Sequence, residues 1–121
     1  MNSLRIQEKE DTQIVFFTDA KILEDSRIQQ IGADLLEVAT RATEGRLLLN
    51  FFGVTFMSSA MIGKLVSLHN KCKKDEIALK FCNISGNLTE VFKIMKLNKV
   101  FDIQKTEEKA LKSFDKKGWF G

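Results

Sequence analysis

Proline is absent from this chain of 121 residues, histidine occurs once, and cysteine only twice. Cys72 and Cys82 form no disulfide framework and no Cys-x-x-Cys pair. Long hydrophobic runs are missing too. None approaches the roughly 20 apolar residues that a membrane-spanning helix needs. Met1 to Asp11 is mostly polar, so no signal peptide is expected. A reducing, cytoplasmic setting follows, with no membrane insertion. Gly-rich phosphate loops are also lacking, because Gly45, Gly53, Gly63 and Gly86 stand isolated. No Gly/Ser linker or internal repeat divides the chain. One domain over residues 1–121 is expected, with a core at about 4–114 and a loose tail at 115–121 that carries Trp119 and Phe120.

Charge of one sign is scarce. Nineteen basic residues face sixteen acidic ones, a net charge of +3. The densest cluster, Lys71, Lys73 and Lys74, is followed at once by Asp75 and Glu76 and reads as a solvated face. Nucleic-acid binding calls for a basic stripe with interleaved aromatics or a known motif, and neither is present.

What is there is apolar and periodic. Hydrophobic residues make up 44%, ten of them Phe. Leu4 and Ile6 alternate with Arg5 and Gln7 in a short strand. Thr12 to Thr18 is rich in β-branched and aromatic residues and forms a second. The charged Glu8 to Asp11 between them suits a hairpin turn. Ile28, Ile31, Leu35, Val38, Ala39 and Ala42 share one face of a helix over Ser26 to Glu44. Ser26 with Gln29 matches a capping box, and Gly45 stands at the stop. Arg46 to Phe52 is too short for a helix and reads as a strand buried on both faces.

A second helix spans Ser59 to Lys74, with Ile62, Leu65, Leu68 or His69, and Cys72 inward. Ile77 to Asn83 is another buried strand. A third helix covers Asn87 to Lys96, with Leu88, Val91, Phe92 and Met95 inward and Asn87 with Glu90 as its capping box. Val100 to Ile103 makes a last short strand. Thr106 caps a closing helix to Phe114, with Ala110, Leu111 and Phe114 inward. This alternation predicts an α/β sandwich: a four- to five-stranded mixed sheet, largely parallel at its centre, with about four helices.

Catalytic chemistry finds little support. His69 and Cys72 lie three apart on one helix, but zinc sites want three or four ligands. As a nucleophile pair they lack an orienting third group. Glu107 and Glu108 sit in a first helical turn, where the dipole favours them. A phospho-receiver needs an acceptor Asp at a strand end, and Asn50 occupies that place. No catalytic residue, metal or cofactor is therefore assigned. Ser58 and Ser59, at the start of the second helix, read as caps on spacing alone.

The stretch from Arg46 to Lys74, RLLLNFFGVTFMSSAMIGKLVSLHNKCKK, resembles the central motif of STAS domains, the anti-sigma factor antagonist family. That motif is a buried strand, a loop ending in an Asp-Ser-Ser-Gly-like turn, and a helix. The following IALKFCNISGNLTEVFKIMKLNKVFDI resembles the family's next strand, its Asn-x-Ser loop and its third helix. The similarity runs from about residue 4 to 114.

The resemblance implies a regulatory protein that binds a serine-kinase anti-sigma factor, is phosphorylated by it on a serine, and is restored by a serine phosphatase. By motif position that serine is Ser59. Met57, Ser58, Met61 and Gly63 would lie at the docking surface, with Lys64 at its rim. A bacterial cascade controlling transcription is implied, and a monomer or weak dimer. The sequence departs from the motif at several points. Ser58 replaces the usual Asp before the switch, which makes Ser58 the alternative acceptor. Ala60 and Met61 replace Ser and Gly, and Asn50 replaces a frequent Asp. Two other readings stay open: a non-phosphorylated STAS scaffold subunit of a signalling or transport assembly, and a sensor of a small ligand such as a nucleotide.

Overall fold

The computed structural model describes residues 3–120, with side chains as far as Asp115. Strand β1 (Leu4–Lys9) and β2 (Thr12–Phe17) form an antiparallel hairpin in which Lys9 faces Thr12. Glu10 and Asp11 both take positive φ, 52° and 61°, as a tight two-residue turn between twisted strands requires. A two-residue strand, β3 (Lys21–Ile22), precedes helix α1 (Asp25–Arg41). Then come β4 (Arg46–Asn50), a second two-residue strand β5 (Phe56–Met57), and α2 (Ser59–Lys74). Strand β6 (Ala78–Cys82), α3 (Gly86–Ile94), β7 (Asp102–Gln104) and α4 (Glu107–Phe120) complete the order.

The main sheet runs β1-β2-β4-β6-β7, antiparallel at the β1–β2 edge and parallel elsewhere. This is the five-stranded mixed sheet that the sequence predicts, flanked by four helices. Side chains alternate across β4. Leu47 and Leu49 join the core beneath α1, α2 and α3, with Ile31, Leu35, Leu65 and Phe92 among it. Leu48 points the other way, to a smaller core with Ile14, Cys82, Ala110, Leu111 and Phe114 under α4. A strand buried on both faces has no polar alternation, which is why this run reads as continuous Leu.

Half of the ten Phe stand in one contiguous row. Phe17 stacks on Phe51 at 4.9 Å, Phe51 meets Phe81 at 5.1 Å, and Phe81 meets Phe101 at 4.6 Å. Phe92 closes the row edge-on to Phe101 at 5.6 Å. Such pairs add about 0.5–1.5 kcal/mol each beyond the area they bury.

Several sequence expectations differ at the helix ends. Glu24, not Ser26, is the N-cap of α1, and no side chain caps it. The helix ends at Arg41, and Gly45, at φ +74°, serves the turn into β4 instead. The cap of α3 is Ser85, whose Oγ accepts from Leu88 N–H at 3.2 Å, and not Asn87. The sequence shows Asn87 and Glu90 at capping-box spacing, but Asn87 is already the second residue of the helix. Met95, expected inward, follows the end of α3 and is exposed. Thr106 does cap α4, its Oγ1 accepting from Lys109 N–H at 3.1 Å. Helix α4 runs on to Phe120 where a loose tail is expected from sequence, and the side chains of Trp119 and Phe120 lie outside the described residues.

Candidate functional site

The loop from Phe51 to Ser58 carries the chain from the central strand to α2, and each of its residues has a fixed direction. Phe51 points inward, and its N–H donates to Cys82 C=O at 3.0 Å. Phe52 points out and is 76% exposed. Gly53 takes φ +88°, which an L side chain rarely adopts, and turns the chain so that Val54 returns to the core. Phe56 is again outside and Met57 inside.

The small β3–β5 ladder holds this loop in place. Lys21 pairs with Phe56 and Ile22 with Met57. Thr55 N–H donates to Ala20 C=O at 2.8 Å, and Ser58 N–H donates to Ile22 C=O at 3.0 Å. Behind it, Arg27 grips Asp19 through two hydrogen bonds, at 2.6 and 3.0 Å. The guanidinium hydrogen bond holds the Asp19 carboxyl below the usual carboxylate range. Asn50 pins the loop's other end. Its Oδ1 accepts from Phe52 N–H at 2.9 Å, and its Nδ2 donates to Glu107 Oε1 at 3.0 Å.

The two serines then part in role. Ser58 is the N-cap of α2, and its Oγ accepts from Met61 N–H at 3.3 Å. Ser59 is the first helical residue and is exposed, and its hydroxyl makes no hydrogen bond among the described residues. No acidic residue occupies the first turn of α2. An anion on Ser59 would meet the positive end of the helix dipole without a carboxylate beside it.

The other predicted surface residues divide. Gly63 is exposed one turn on, and a methyl group added there would meet no atom within 4 Å. Its place inside the helix therefore has no packing cause among the described residues. Lys64 is half-buried: its methylenes lie 2.9 Å from where a Cβ on Gly32 would stand, and its Nζ donates to Gln29 Oε1 at 3.0 Å. It is thus tied across to α1 and not free at a rim. Met57 and Met61 do not reach the surface, being 2% and 0% exposed. Met57 alternates with outward Phe56 on β5, and Met61 falls on the inner face of α2 with Ile62 and Leu65. Phe52, Phe56 and Leu23 supply the exposed apolar surface at this end instead. The signal for Phe52 lay in Gly53 after it, which ends the buried run.

His69 and Cys72 have different surroundings. His69 stands edge-on to Phe101 at 5.7 Å. Burial pushes the Cys72 thiol up to about 11 and the Cys82 thiol to about 12. Among the described residues no three His, Cys, Asp or Glu side chains gather as a metal site would need. Nor, among them, is any helix long and apolar enough to cross a membrane.

The family model of the STAS domain matches residues 4–110. The chain belongs to the STAS family. Its fold is shared with solved STAS structures. An anti-sigma-factor antagonist STAS domain protein from Planctomyces limnophilus superposes with a TM-score of 0.81 at 22% identity, covering 91% of this chain and 96% of that one. The Bacillus cell fate determinant SpoIIAA, in its phosphorylated form, gives 0.67 at 17% identity, over 92% and 98%. A sulfate transporter family protein from Wolinella succinogenes gives 0.70 at 14% identity, over 85% and 84%. No curated protein matches the chain. At these identities the likeness speaks for the fold. The STAS framework thus hosts both antagonist and transporter proteins among its neighbours.

Proposed function

We propose that this STAS domain is an anti-sigma factor antagonist-like regulator, one that binds a serine-kinase anti-sigma factor and is switched off by phosphorylation of Ser59. One observation carries the reading: of two adjacent serines, Ser58 is committed to its cap while Ser59 offers a free, exposed hydroxyl at a helix N-terminus. The replacement of the usual Asp by Ser58 leaves the cap in place, since Ser and Asp are both strong N-caps. The site therefore needs no second acceptor.

The surface around Ser59 suits a protein partner. Phe52 and Phe56, on the loop that leads into α2, and Leu23, just after β3, stand exposed, and a Cβ at Gly63 would meet open space. Aromatic anchors of this kind dominate binding energy at protein interfaces. A phosphate would bring about −2 charge into the middle of that apolar surface and break a match made to a neutral hydroxyl. The kinase, a serine phosphatase to reverse it, and a role in transcription control in a bacterial cytoplasm form part of the same reading. Binding, not catalysis, is the activity proposed.

The test is affinity capture from native lysate with wild type beside Ser59→Asp, followed by mass spectrometry of bait and partners. Retention of an ATPase-fold serine kinase by wild type and its loss from the variant support the switch. Equal partners on both baits would instead mark a non-phosphorylated scaffold subunit.

A further inference from the structure

At the far end of α2 from Ser59 lies a surface of different character. Helix α3 ends at Ile94, and the chain folds into a compact turn before β7. Leu97 N–H donates to Phe92 C=O at 2.8 Å and Val100 N–H to Leu97 C=O at 3.0 Å, with Lys96 at φ +60°. Phe101 is buried and Leu97 half-buried, so the turn is anchored from beneath. Its outer side chains have nothing to cover them. Ile94 is 79% exposed, Met95 43% and Val100 44%.

Lys93, Lys96 and Lys99 interleave with these three, all exposed. None of the lysines forms an ion pair among the described residues. Glu90, three residues before Lys93, and Asp102, three residues after Lys99, flank them, and from Lys93 to Val100 there is no acid. Lys73, at the last turn of α2, lines a recess together with Val100, Glu76 and Asp102.

The charge pattern selects the occupant. A second copy of this chain would set lysines against lysines. Glu76 and Asp102 stand in the wall of the recess beside Val100 and oppose any anionic occupant there, so the exposed turn, and not the recess, is the contact. The turn itself is a protruding helix end. Exposed aliphatic tips between lysines match an anionic bilayer surface, where cations meet headgroups and the tips reach the acyl boundary. We propose that residues 93–100 form a docking surface for anionic phospholipid membranes. Ser59 lies roughly 20 Å away along α2, on the rise of about 1.5 Å per residue. A docked domain would keep its Ser59 face turned to solvent. The inference stands apart from the kinase reading, since it uses none of the same residues.

The test is co-sedimentation of the full chain with phosphatidylcholine vesicles, with and without phosphatidylglycerol. Binding to the anionic vesicles alone, weakened by salt, is expected. At about fivefold per lysine, Lys93→Gln, Lys96→Gln and Lys99→Gln together lower the affinity about a hundredfold. Ile94→Ser lowers it with the charge unchanged. Circular dichroism melting confirms that the variants are folded. No binding to either vesicle, equal binding to both, or a triple variant that binds as wild type would overturn the proposal. So would capture of polyglutamate by the lysines without vesicle binding, which would make the occupant an acidic chain.

Discussion

Two neighbouring serines with different partners give the sharpest residue-level test of this structure. Ser58→Ala removes the cap on Met61 N–H and should destabilise the domain by about 1 kcal/mol. Ser59→Ala removes an exposed hydroxyl without a partner and should change stability by less than about 0.5 kcal/mol. Urea unfolding of both variants checks this, and a reversed order would reverse the assignment of cap and acceptor. The thiols make a second test. Both are buried, with pKa values raised to about 11 and about 12 from 9.0. A folded-state pKa above the unfolded one gives stability that is full below the unfolded value and is lost as pH rises through the folded one. Stability should therefore decline between about pH 9 and pH 12, over the window those values set. Iodoacetamide at pH 8 should label Cys72 and Cys82 only under unfolding conditions, as mass spectrometry will show.

At the scale of elements, the Phe51–Ser58 loop is the piece on which the site depends, and Asn50 holds it. Asn50→Asp would place a buried carboxylate against Glu107 and lose the Nδ2 donor. A cost of about 1–3 kcal/mol at neutral pH is expected. It should shrink as pH falls, because protonating either carboxyl removes the repulsion, and thermal melts across pH will follow it. Gly63→Ala should act in the opposite sense. A methyl group there meets open space, and replacing Gly within a helix gains about 0.5–1 kcal/mol. A stabilised variant that also loses its partner would mean that the partner approaches α2 closely at Gly63.

These elements also show what the sequence could and could not reveal. The span of α2 and the buried strands β4 and β6 were legible because length and apolar pattern agree there. The β3–β5 ladder was not. Two-residue strands carry no periodicity, and these two pair across segments distant in sequence. The false capping boxes at Ser26 and Asn87 show that cap spacing recurs by chance inside helices. The start of α2 at Ser59 was legible in the helix pattern, and the switch role given to Ser59 rests on the family resemblance. The inward direction of Met57 and Met61 was not, because a methionine beside a site reads equally well as core or as contact.

The whole molecule places unlike surfaces at opposite ends of a single helix. Where the parallel strands end, the loop that carries exposed Phe52 and Phe56 leads into Ser59. Where they begin, lysines surround exposed aliphatic tips. Between them the sheet is buried on both faces and supplies the rigidity that makes the two ends distinct. The sheet and its row of phenyl rings explain stability, and the α2 N-terminus carries the functional reading.

That reading is tested most directly by phosphopeptide mapping of the protein isolated from its native cells. The account predicts a single phosphate, on Ser59, that disappears in Ser59→Ala and persists in Ser58→Ala. A phosphate on Ser58 with Ser59 unmodified would contradict it, as would a partner-bound protein that is never phosphorylated at either serine.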